Sequence, residues 1–406
     1  MKISRNKRKA NNKGITLIAL VITVIVLLIL AAVSIATLTG ENGILTRAND
    51  AKENTEKAEE DELKKLIQAE AATYFEDYEY TDSNGEKVKI PEKCAVSQVE
   101  GEKTVEDGLV IIDINGNEWV WIEVPKSIMP EGLTFTNETD YATLETALQT
   151  YAGDYRKTEY ADEWYDGCGL QEGEYTQLKQ SMLKSVYENG GFYIGKYETG
   201  SFDNPVTSND ITRKAVIQKG AYPYNYVTCS QAQAISEGLS VGNKTSSLMF
   251  GIQWDLVLKY LEVNGDWDTS THDASYYLKT DSSSWGNYRN AEFSVKEGNK
   301  YATYNGSVLG DWNNVPRNYT KPSYNSWLTG DILTTGATKR NSKMNIYDLA
   351  GNEWEWSLEK GEDISVPCIT RAGNYFNFGY GFMASSYYAF TIDNNYNDVG
   401  FRVSLY

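Results

Sequence analysis

The sequence predicts an α+β protein in which a long apolar N-terminal helix precedes a large domain of strands and ordered loops. Residues 15–38 form a run of 24 without a charged side chain, as expected of a continuous helix. The rest of the chain supplies most of the 30 Tyr and 10 Trp, and such aromatic chains usually fold as strands and ordered loops. Near the C-terminus, residues 345–356 combine turn residues with two Trp spaced two apart, which predicts a strand with both indoles on one face.

The first 14 residues carry six positive charges and no acidic residue, and they end at Gly14. The apolar run that follows would measure about 36 Å as a helix, enough for a bilayer core of roughly 30 Å. The basic flank should stay in the cytoplasm, which places the chain after Gly40 outside the cell. A secretory signal peptide would have a shorter apolar region that ends at a small-residue cleavage site. We therefore predict a basic leader over 1–14 and a transmembrane helix over 15–40.

The boundary between leader and helix reads KGITLI over residues 13–18 and resembles the leader junction of type IV prepilins. In that family a peptidase cuts after the Gly and the helix stays on the mature protein, which implies cleavage between Gly14 and Ile15. The resemblance also implies other pilin subunits as partners. The fifth residue after the cut, usually a Glu linked to methylation and subunit docking, is Ala19 here. A plain membrane anchor with its N-terminus inside is the alternative.

A second helical stretch is predicted to form a stalk over 41–80. Its middle is mostly Glu and Lys, and apolar residues then recur at near-helical spacing. In pilins the outer half of the first helix packs on the globular domain, and residues 66–78 could do so here; a simple stalk is the alternative. A cluster of turn residues follows. We expect a short linker and strand region over 81–112 and the main domain over 113–406.

Three motifs occur in order near the C-terminus: YDLAGNEWEW over 347–356, RAGN over 371–374 and VGFR over 399–402. Together they resemble the signature of the formylglycine-generating enzyme, or sulfatase-modifying factor, family. The fold of that family is a variant of the C-type lectin fold. The resemblance extends over about 113–406, and it implies a lectin-like domain that contains an insertion over 126–190.

Several elements of this domain can be predicted locally. Helices are expected at 175–187, 229–238 and 247–263, the last with apolar residues at helical intervals. Residues 264–338 are rich in Gly, Asn, Ser, Tyr and Trp and show little periodicity. A loop-rich segment of this length is usually functional or held by ions.

Charge and cysteine content limit the partners and the chemistry. The net charge of −18 argues against nucleic acid, because affinity there comes chiefly from Lys and Arg at phosphates. The four cysteines are too scattered for a C-x-x-C metal site. If two disulfides form outside the cell, three connectivities are possible, and the sequence does not choose between them.

An enzymatic role is tested by the residues that the resembled family uses. Its catalytic copper-binding cysteines lie between the RAGN-like turn and the final GFR, and residues 374–388 contain no cysteine here. Without thiolates no soft copper site forms. Related iron-dependent sulfoxide synthases use a His cluster, whereas this chain has only His272. We therefore expect no catalysis, and a divergent enzyme of this family is kept as an alternative function.

Residues 374–398 are nearly all Asn, Tyr, Phe, Ser, Gly, Ala and Asp. We call them the C-terminal window. This composition is close to that of antibody loops, which place rigid rings beside small polar groups. Core packing is the alternative for part of the rings, although a core strand would not need so many Asn. The predicted ligand-binding residues are Tyr375, Phe376, Asn377, Phe378, Tyr380, Phe382, Tyr387, Tyr388, Phe390, Asn394, Asn395, Tyr396 and Asn397.

The C-terminal window also resembles the variable region of proteins from diversity-generating retroelements. Those proteins use the same lectin-like fold and randomise adenine-rich, Asn-type codons in a stretch that ends near GFR. Apart from Met383, every residue of the window is reachable by mutating such codons. The resemblance implies a diversified surface for an extracellular protein or glycan ligand.

The motif at 347–356 also predicts a calcium site, because Asp, Gly and alternate Glu can supply oxygens to a hard cation. The family resemblance assigns the ligands as the Asp348 side chain, the carbonyls of Gly351 and Glu353, and the Glu355 side chain. The alternative is that Asp348 caps a turn while Glu355 faces solvent. A similar GNEWVW motif at 116–121 is expected to be a strand that buries a Trp pair, not a second ion site.

The sequence thus predicts a bacterial cell-membrane or cell-surface protein whose bulk is extracellular, with a lectin-like domain that binds a ligand. It would act as an adhesin and as a minor or tip pilin. A pseudopilin with a purely structural role in a filament or secretion assembly is the main alternative.

Overall fold

A computed structural model describes residues 24–28, 43–155, 160–203, 205, 208–326 and 328–406. The predicted leader, the cleavage site between Gly14 and Ile15, and most of the predicted 15–40 helix lie outside these residues. Residues 24–28 are helical. Within the described ranges, no helix is both long and apolar enough to cross a membrane. The chain divides into two units, residues 1–63 and residues 64–406.

The described residues form a mixed α+β structure in which strands predominate. The helices are α1 (Ile44–Ala71), α2 (Glu138–Ala152), α3 (Glu172–Asn189), α4 (Cys229–Glu237), α5 (Gly251–Asn264) and α6 (Ala274–Lys279). The strands are β1 (Tyr78–Thr81), β2 (Lys87–Ile90), β3 (Cys94–Val96), β4 (Val110–Asp113), β5 (Glu118–Glu123), β6 (Tyr160–Ala161), β7 (Gly191–Gly195), β8 (Gly200–Ser201), β9 (Tyr222–Pro223), β10 (Ser246–Leu248), β11 (Phe293–Ser294), β12 (Lys300–Tyr304), β13 (Asn313–Asn314), β14 (Thr320–Lys321), β15 (Gly330–Leu333), β16 (Ser342–Lys343), β17 (Ile346–Tyr347), β18 (Trp354–Gly361), β19 (Cys368–Arg371), β20 (Tyr387–Phe390), β21 (Val399–Phe401) and β22 (Val403–Leu405).

Helix α1 is shorter than the predicted stalk over 41–80. It ends at Ala71, and the chain turns before it enters β1. Tyr78 and Tyr80 are half-buried against the core, and aromatic residues favour such a pleated position over a helix. The stalk prediction is therefore wrong over its last residues.

The larger sheet has six antiparallel strands in the order β10-β22-β7-β5-β4-β3. Strand β22 therefore places the C-terminus of the chain inside the sheet. Residues 81–112 were expected to be a short linker and strand region before the main domain; they contain β2, β3 and most of β4, and β3 and β4 belong to the six-stranded sheet. Strand β4 pairs with β5, and all four of its residues are buried. A strand whose residues are nearly all apolar is most stable when both of its faces are covered.

The smaller sheet brings the three C-terminal motifs together. Its main order is β20-β19-β18-β21, with β6 paired to the far end of β18. Strand β18 is antiparallel to β19 and parallel to β21, where Trp354 lies beside Val399 and Trp356 beside Phe401. Both Trp side chains are buried, as predicted. Strand β18 is thus the centre around which the C-terminal window is arranged.

Residues 126–190 contain α2 and α3, and these helices belong to the main hydrophobic core. Helix α2 packs on α5 and α3 packs on β7, with Leu148 and Val186 fully buried. Helix α3 corresponds to the predicted helix at 175–187 and ends at Gly190, which has a left-handed backbone. Helix α4 also lies where it was predicted, and the third predicted helix begins only at Gly251 because residues 246–248 pair with β22.

The loop-rich segment 264–338 is held by two buried charged side chains. The Lys321 ammonium donates to the carbonyls of Tyr288, Ala291 and Pro322 at 2.9, 2.9 and 3.1 Å. The Asp331 carboxylate accepts from hydroxyls of Thr303, Tyr319 and Tyr324. Lys321 thus pairs carbonyls that irregular backbone would otherwise leave unpaired, and Asp331 joins three hydroxyl-bearing side chains of the segment.

Candidate functional site

The C-terminal window leaves β19, passes through β20 and returns to β21, so both of its ends are fixed on the smaller sheet. At its base, the Asn374 amide donates to the Asp398 carboxylate at 2.6 Å. Both residues are buried. The loops between them are therefore anchored by a buried contact as well as by the strands.

Two of the predicted ligand-binding residues belong to the core. Tyr375 is fully buried, and its hydroxyl accepts a hydrogen bond from the Asn397 amide at 2.9 Å. Tyr387 is 9% exposed; its ring stacks on the Arg371 guanidinium at 3.7 Å, and its hydroxyl donates to the Tyr155 carbonyl. We correct the prediction for Tyr375 and Tyr387, because neither ring presents a free face.

Four of the predicted aromatic residues form a connected set of rings with Trp354, which was not predicted to bind ligand; we call this set the aromatic belt. Its members are Trp354, Phe382, Tyr388, Phe390 and Tyr396. The ring centroid of Trp354 lies 5.6 Å from that of Phe382 and 5.7 Å from that of Tyr388. The Phe390 ring lies 4.9 Å from Tyr388 and 5.8 Å from Tyr396. Tyr388 and Tyr396 are each 48% exposed, whereas Trp354, which contacts Tyr388, is buried. The belt thus offers accessible rings whose positions are set by a buried indole.

The remaining predicted aromatic residues make separate ring contacts. Phe378 stacks on Tyr380 with centroids 4.8 Å apart, and the Arg289 guanidinium lies 3.5 Å from the Phe378 ring centre. Phe376 stacks on Tyr304 at 5.1 Å. Tyr380 is 57% exposed. This group can contribute a second contact area.

The predicted Asn residues mostly shape the loops. The Asn377 side chain accepts from the backbone amide of Asn374, and the Asn394 side chain accepts from the backbone amide of Thr391. Asn397 holds the Tyr375 hydroxyl, as described above, and Asn395 is half-buried. Asn is well suited to such turns because its side chain bonds to nearby backbone. The high Asn content is therefore explained in part by loop structure.

The turn before β18 has the predicted conformation. Asp348 and Asn352 both have positive φ values, 57° and 62°, a backbone region in which Asn and Asp are enriched. The Asn352 side chain is a contact that sequence reasoning missed. It donates to Glu198 at 2.6 Å and accepts from the Asn287 amide and from the Leu333 backbone amide. Asn352 therefore ties the loop-rich segment to the motif.

The two side chains predicted to bind calcium, those of Asp348 and Glu355, have protein partners. Both carboxylate oxygens of Glu355 are engaged by the Arg402 guanidinium, at 3.1 and 2.8 Å. The Asp348 carboxylate accepts from the backbone amide of Gly336 at 2.7 Å. Among the described residues, no group of three or more His, Cys, Asp or Glu is arranged to hold a metal ion. Calcium binding by Asp348, Gly351, Glu353 and Glu355 stays a prediction, and in this structure protein donors engage the Asp348 and Glu355 carboxylates.

The buried carboxyl groups around this motif have perturbed acidities. Burial raises the pKa of Glu353 well above its usual range, opposed by a contact with Asn225 and by the charge of Arg213. Burial also raises the pKa of Glu198, and nearby Asp348 raises it further. Burial likewise raises the pKa of Asp348 to about 7. The motif therefore concentrates acidic groups that are costly to ionise together.

Arg402 is the second residue whose role sequence reasoning missed. It donates to Glu355 and also to the carbonyls of Gly195 and Tyr347, at 2.9 and 2.8 Å. The VGFR motif was recognised as part of the family resemblance, but its partner 47 positions away could not be assigned from spacing. A guanidinium thus occupies the place at Glu355 where a cation was expected.

The GNEWVW motif at 116–121 buries Trp119 and Trp121, as expected. Nearby, Asp113 accepts from the backbone and side chain of Asn117 and from the Trp119 indole. Protein donors therefore satisfy this carboxylate. These contacts account for the motif as a structural one.

The cysteines and the histidine show no arrangement for the chemistry of the resembled enzymes in the part of the chain that the structure describes. The four cysteines are buried free thiols. His272 is exposed and stacks on Tyr276 with centroids 3.7 Å apart. The absence of catalysis remains a prediction.

No family model and no curated protein matches the chain. A solved structure, Treponema denticola variable protein 1, is similar to it at 12% sequence identity and a TM-score of 0.23. The match covers 81% of this chain and 98% of the other. At this TM-score the likeness carries no argument about the fold or the function of this protein.

Proposed function

We propose that the protein is an envelope-anchored, pilin-like bacterial surface protein whose lectin-like domain binds an extracellular ligand, as an adhesin does. The observation that carries the proposal is the aromatic belt. Tyr388 and Phe390 lie on β20 of the smaller sheet, and Tyr396 lies on the loop between β20 and β21, which is fixed at both ends by that sheet. Loops that carry function on a rigid scaffold are the usual arrangement of binding surfaces.

The belt has the chemistry of a binding surface. Tyr388 and Tyr396 combine an apolar ring face with a hydroxyl, so they can stack on a sugar face or pack on a protein surface. Ring contacts with Trp354 and Phe390 restrict their motion before any ligand arrives. Less side-chain entropy is then lost on binding, which favours affinity.

The anchor and the cellular location are part of the same proposal. They are supported by the basic leader, the uncharged run over 15–38 and the prepilin-like junction. The helix would hold the protein in the membrane or pack against other pilin subunits, with the lectin-like domain outside the cell. Mass spectrometry of the protein from its native membrane tests this directly, because prepilin processing leaves Ile15 as the first residue.

Diversification of the C-terminal window is the finer form of the proposal. It is supported by the residue types at 374–398, all of which except Met383 mutated Asn-type codons can encode, and by their position between fixed strands. Deep sequencing of the codons for residues 368–406 across a population of the source bacterium should show variation confined to the window, at adenines of a nearby template repeat. An invariant window would remove the retroelement and leave an ordinary lectin-like binder.

Ligand binding itself is tested with the purified full-length chain on glycan and surface-protein arrays. The Tyr388→Ala/Tyr396→Ala variant should lose the signals that the unmodified chain gives. Phe202→Ala is the matched control, because it truncates an aromatic side chain that is 56% exposed outside the window. Signals that survive in the belt variant, or that vanish equally in the control, would contradict the proposal.

A further inference from the structure

A second concave surface lies outside the aromatic belt. It is an open cleft of about 1280 Å³ lined by α2, α3, the segment 162–166 and the loops that follow β18 and β20. Among its aromatic lining residues, Tyr141 and Trp164 are half-buried and have part of their rings accessible. Residues 391–393 of the C-terminal window also line it, so the cleft reaches the edge of the predicted binding region.

The described lining of this cleft is strongly acidic. It contains two lysines and eight carboxylates: Glu138, Glu145, Asp162, Glu163, Asp166, Glu172, Glu362 and Asp393. Both lysines are already paired, Lys179 with Glu145 at 2.8 Å and Lys360 with Glu163 at 3.5 Å. Both ammonium groups of the described lining are therefore already paired with carboxylates of the protein itself.

Four of the carboxylates have no ion-pair partner among the described residues. They are Asp166, Glu172, Glu362 and Asp393, and all four side chains are exposed. A cleft lined by charges of one sign focuses the electrostatic potential and attracts the opposite charge. The cleft is thus complementary to a ligand with several positive charges.

We propose that this cleft binds an extended Lys- or Arg-bearing segment of a partner protein. The aromatic lining suits such side chains, since cations pack on Trp and Tyr faces. At the rim, Ile364 is 91% exposed and Ile392 is 41% exposed, and the methylene stems of Lys and Arg pack on apolar groups of this kind. The volume exceeds that of usual small-molecule pockets, roughly 300–1,000 Å³.

This interaction goes beyond the proposed function, because it uses other residues than the belt and a ligand of defined charge. A fluorescent decapeptide of alternating Lys and Ala is the probe, and an alternating Glu and Ala decapeptide is its counterpart. Anisotropy is measured with the full-length chain in non-ionic detergent at about 0.15 M salt, where long-range attraction is screened within roughly 8 Å. Only the Lys peptide should bind.

The cleft variant is Asp166→Asn/Glu172→Gln/Glu362→Gln. It should weaken binding of the Lys peptide about tenfold, the order expected from three surface charge contacts. The control variant is Glu76→Gln/Glu131→Gln/Glu297→Gln, which removes the same charge from exposed positions that do not line the cleft. The affinity of the control variant for the Lys peptide should change less than about twofold.

Further outcomes decide the proposal. Equal weakening in the cleft and control variants would show that binding follows net charge alone and would overturn it. Failure of the unmodified chain to bind the Lys peptide would overturn it as well. The Tyr388→Ala/Tyr396→Ala variant should bind the peptide normally, so that loss of belt function and loss of cleft function are separable.

Discussion

Replacement of Arg402 by Met tests whether the C-terminal motifs are joined by a buried ion pair. Arg402 and Glu355 are 1% exposed or less at their side chains. The change leaves the Glu355 carboxylate without its cation and removes the donors to two backbone carbonyls. Breaking a buried pair by removing one partner typically costs about 3–5 kcal/mol.

The pKa of the Glu355 carboxyl sets an upper limit on the stability that its unpaired charge can cost in this variant. Glu355 can escape the unpaired charge by taking up a proton, and its ordinary pKa is 4.5. Protonation at pH 7 then costs about 3 kcal/mol, at roughly 1.4 kcal/mol per pH unit. At pH 5 the same step costs less than about 1 kcal/mol. The loss of stability should therefore shrink by about 2.5 kcal/mol between pH 7 and pH 5.

Urea denaturation followed by near-UV circular dichroism measures this loss. Lys360→Met is the matched control, because Lys360 pairs with the exposed Glu163 at 3.5 Å and surface pairs contribute about 1 kcal/mol or less. A loss below about 1 kcal/mol for Arg402→Met at pH 7, or a loss that does not depend on pH, would refute the reasoning.

The same variant tests the calcium prediction. Without Arg402, the Glu355 oxygens become available to a hard cation. If an ion can bind at this motif, calcium should recover stability in Arg402→Met but not in Arg402→Met/Glu355→Gln. If calcium does not restore the stability of Arg402→Met, the calcium prediction for this motif is wrong.

Two further predictions concern the C-terminal window. Burial raises the pKa of Asp398 from 3.8 to about 6, so the folded state holds this proton more tightly than the unfolded state. The stability it contributes is complete below pH 4 and is lost as the pH rises through 6. Asp398→Asn should therefore raise stability by up to about 3 kcal/mol at pH 8 and little at pH 4, and denaturation midpoints that do not differ between these pH values would disprove it. Tyr387→Ala should cost about 3–5 kcal/mol because its ring is buried on Arg371, whereas Tyr388→Ala should cost less than about 1 kcal/mol; equal losses of thermal stability would contradict the assignment of Tyr387 to the core.

Local patterns were sufficient for elements that depend on nearby residues. The spacing of Trp354 and Trp356 predicted that both indoles lie on one face of a strand, and apolar residues at helical intervals predicted α5. The turn residues between Asp348 and Asn352 predicted a turn, and the structure has one there, with both residues at positive φ. In each case the signal and the structure lie within a few residues of one another.

The rest depends on contacts between distant parts of the chain. Tyr375 and Phe376 are neighbours of similar chemistry, yet only Tyr375 is fully buried, because the path of the loop decides which ring turns inward. The pairing of Arg402 with Glu355 required the parallel register of β18 and β21. The acidic cleft joins α2 and α3 to loops some two hundred residues later, and no local pattern reports such a surface.

The central claim is that the aromatic belt binds an extracellular ligand, and adhesion of cells that display the full-length chain tests it most directly. Cells with the Tyr388→Ala/Tyr396→Ala variant should lose adhesion while surface display, measured by antibody, stays equal to that of Phe202→Ala cells. Adhesion that persists in the belt variant at equal display would contradict the account.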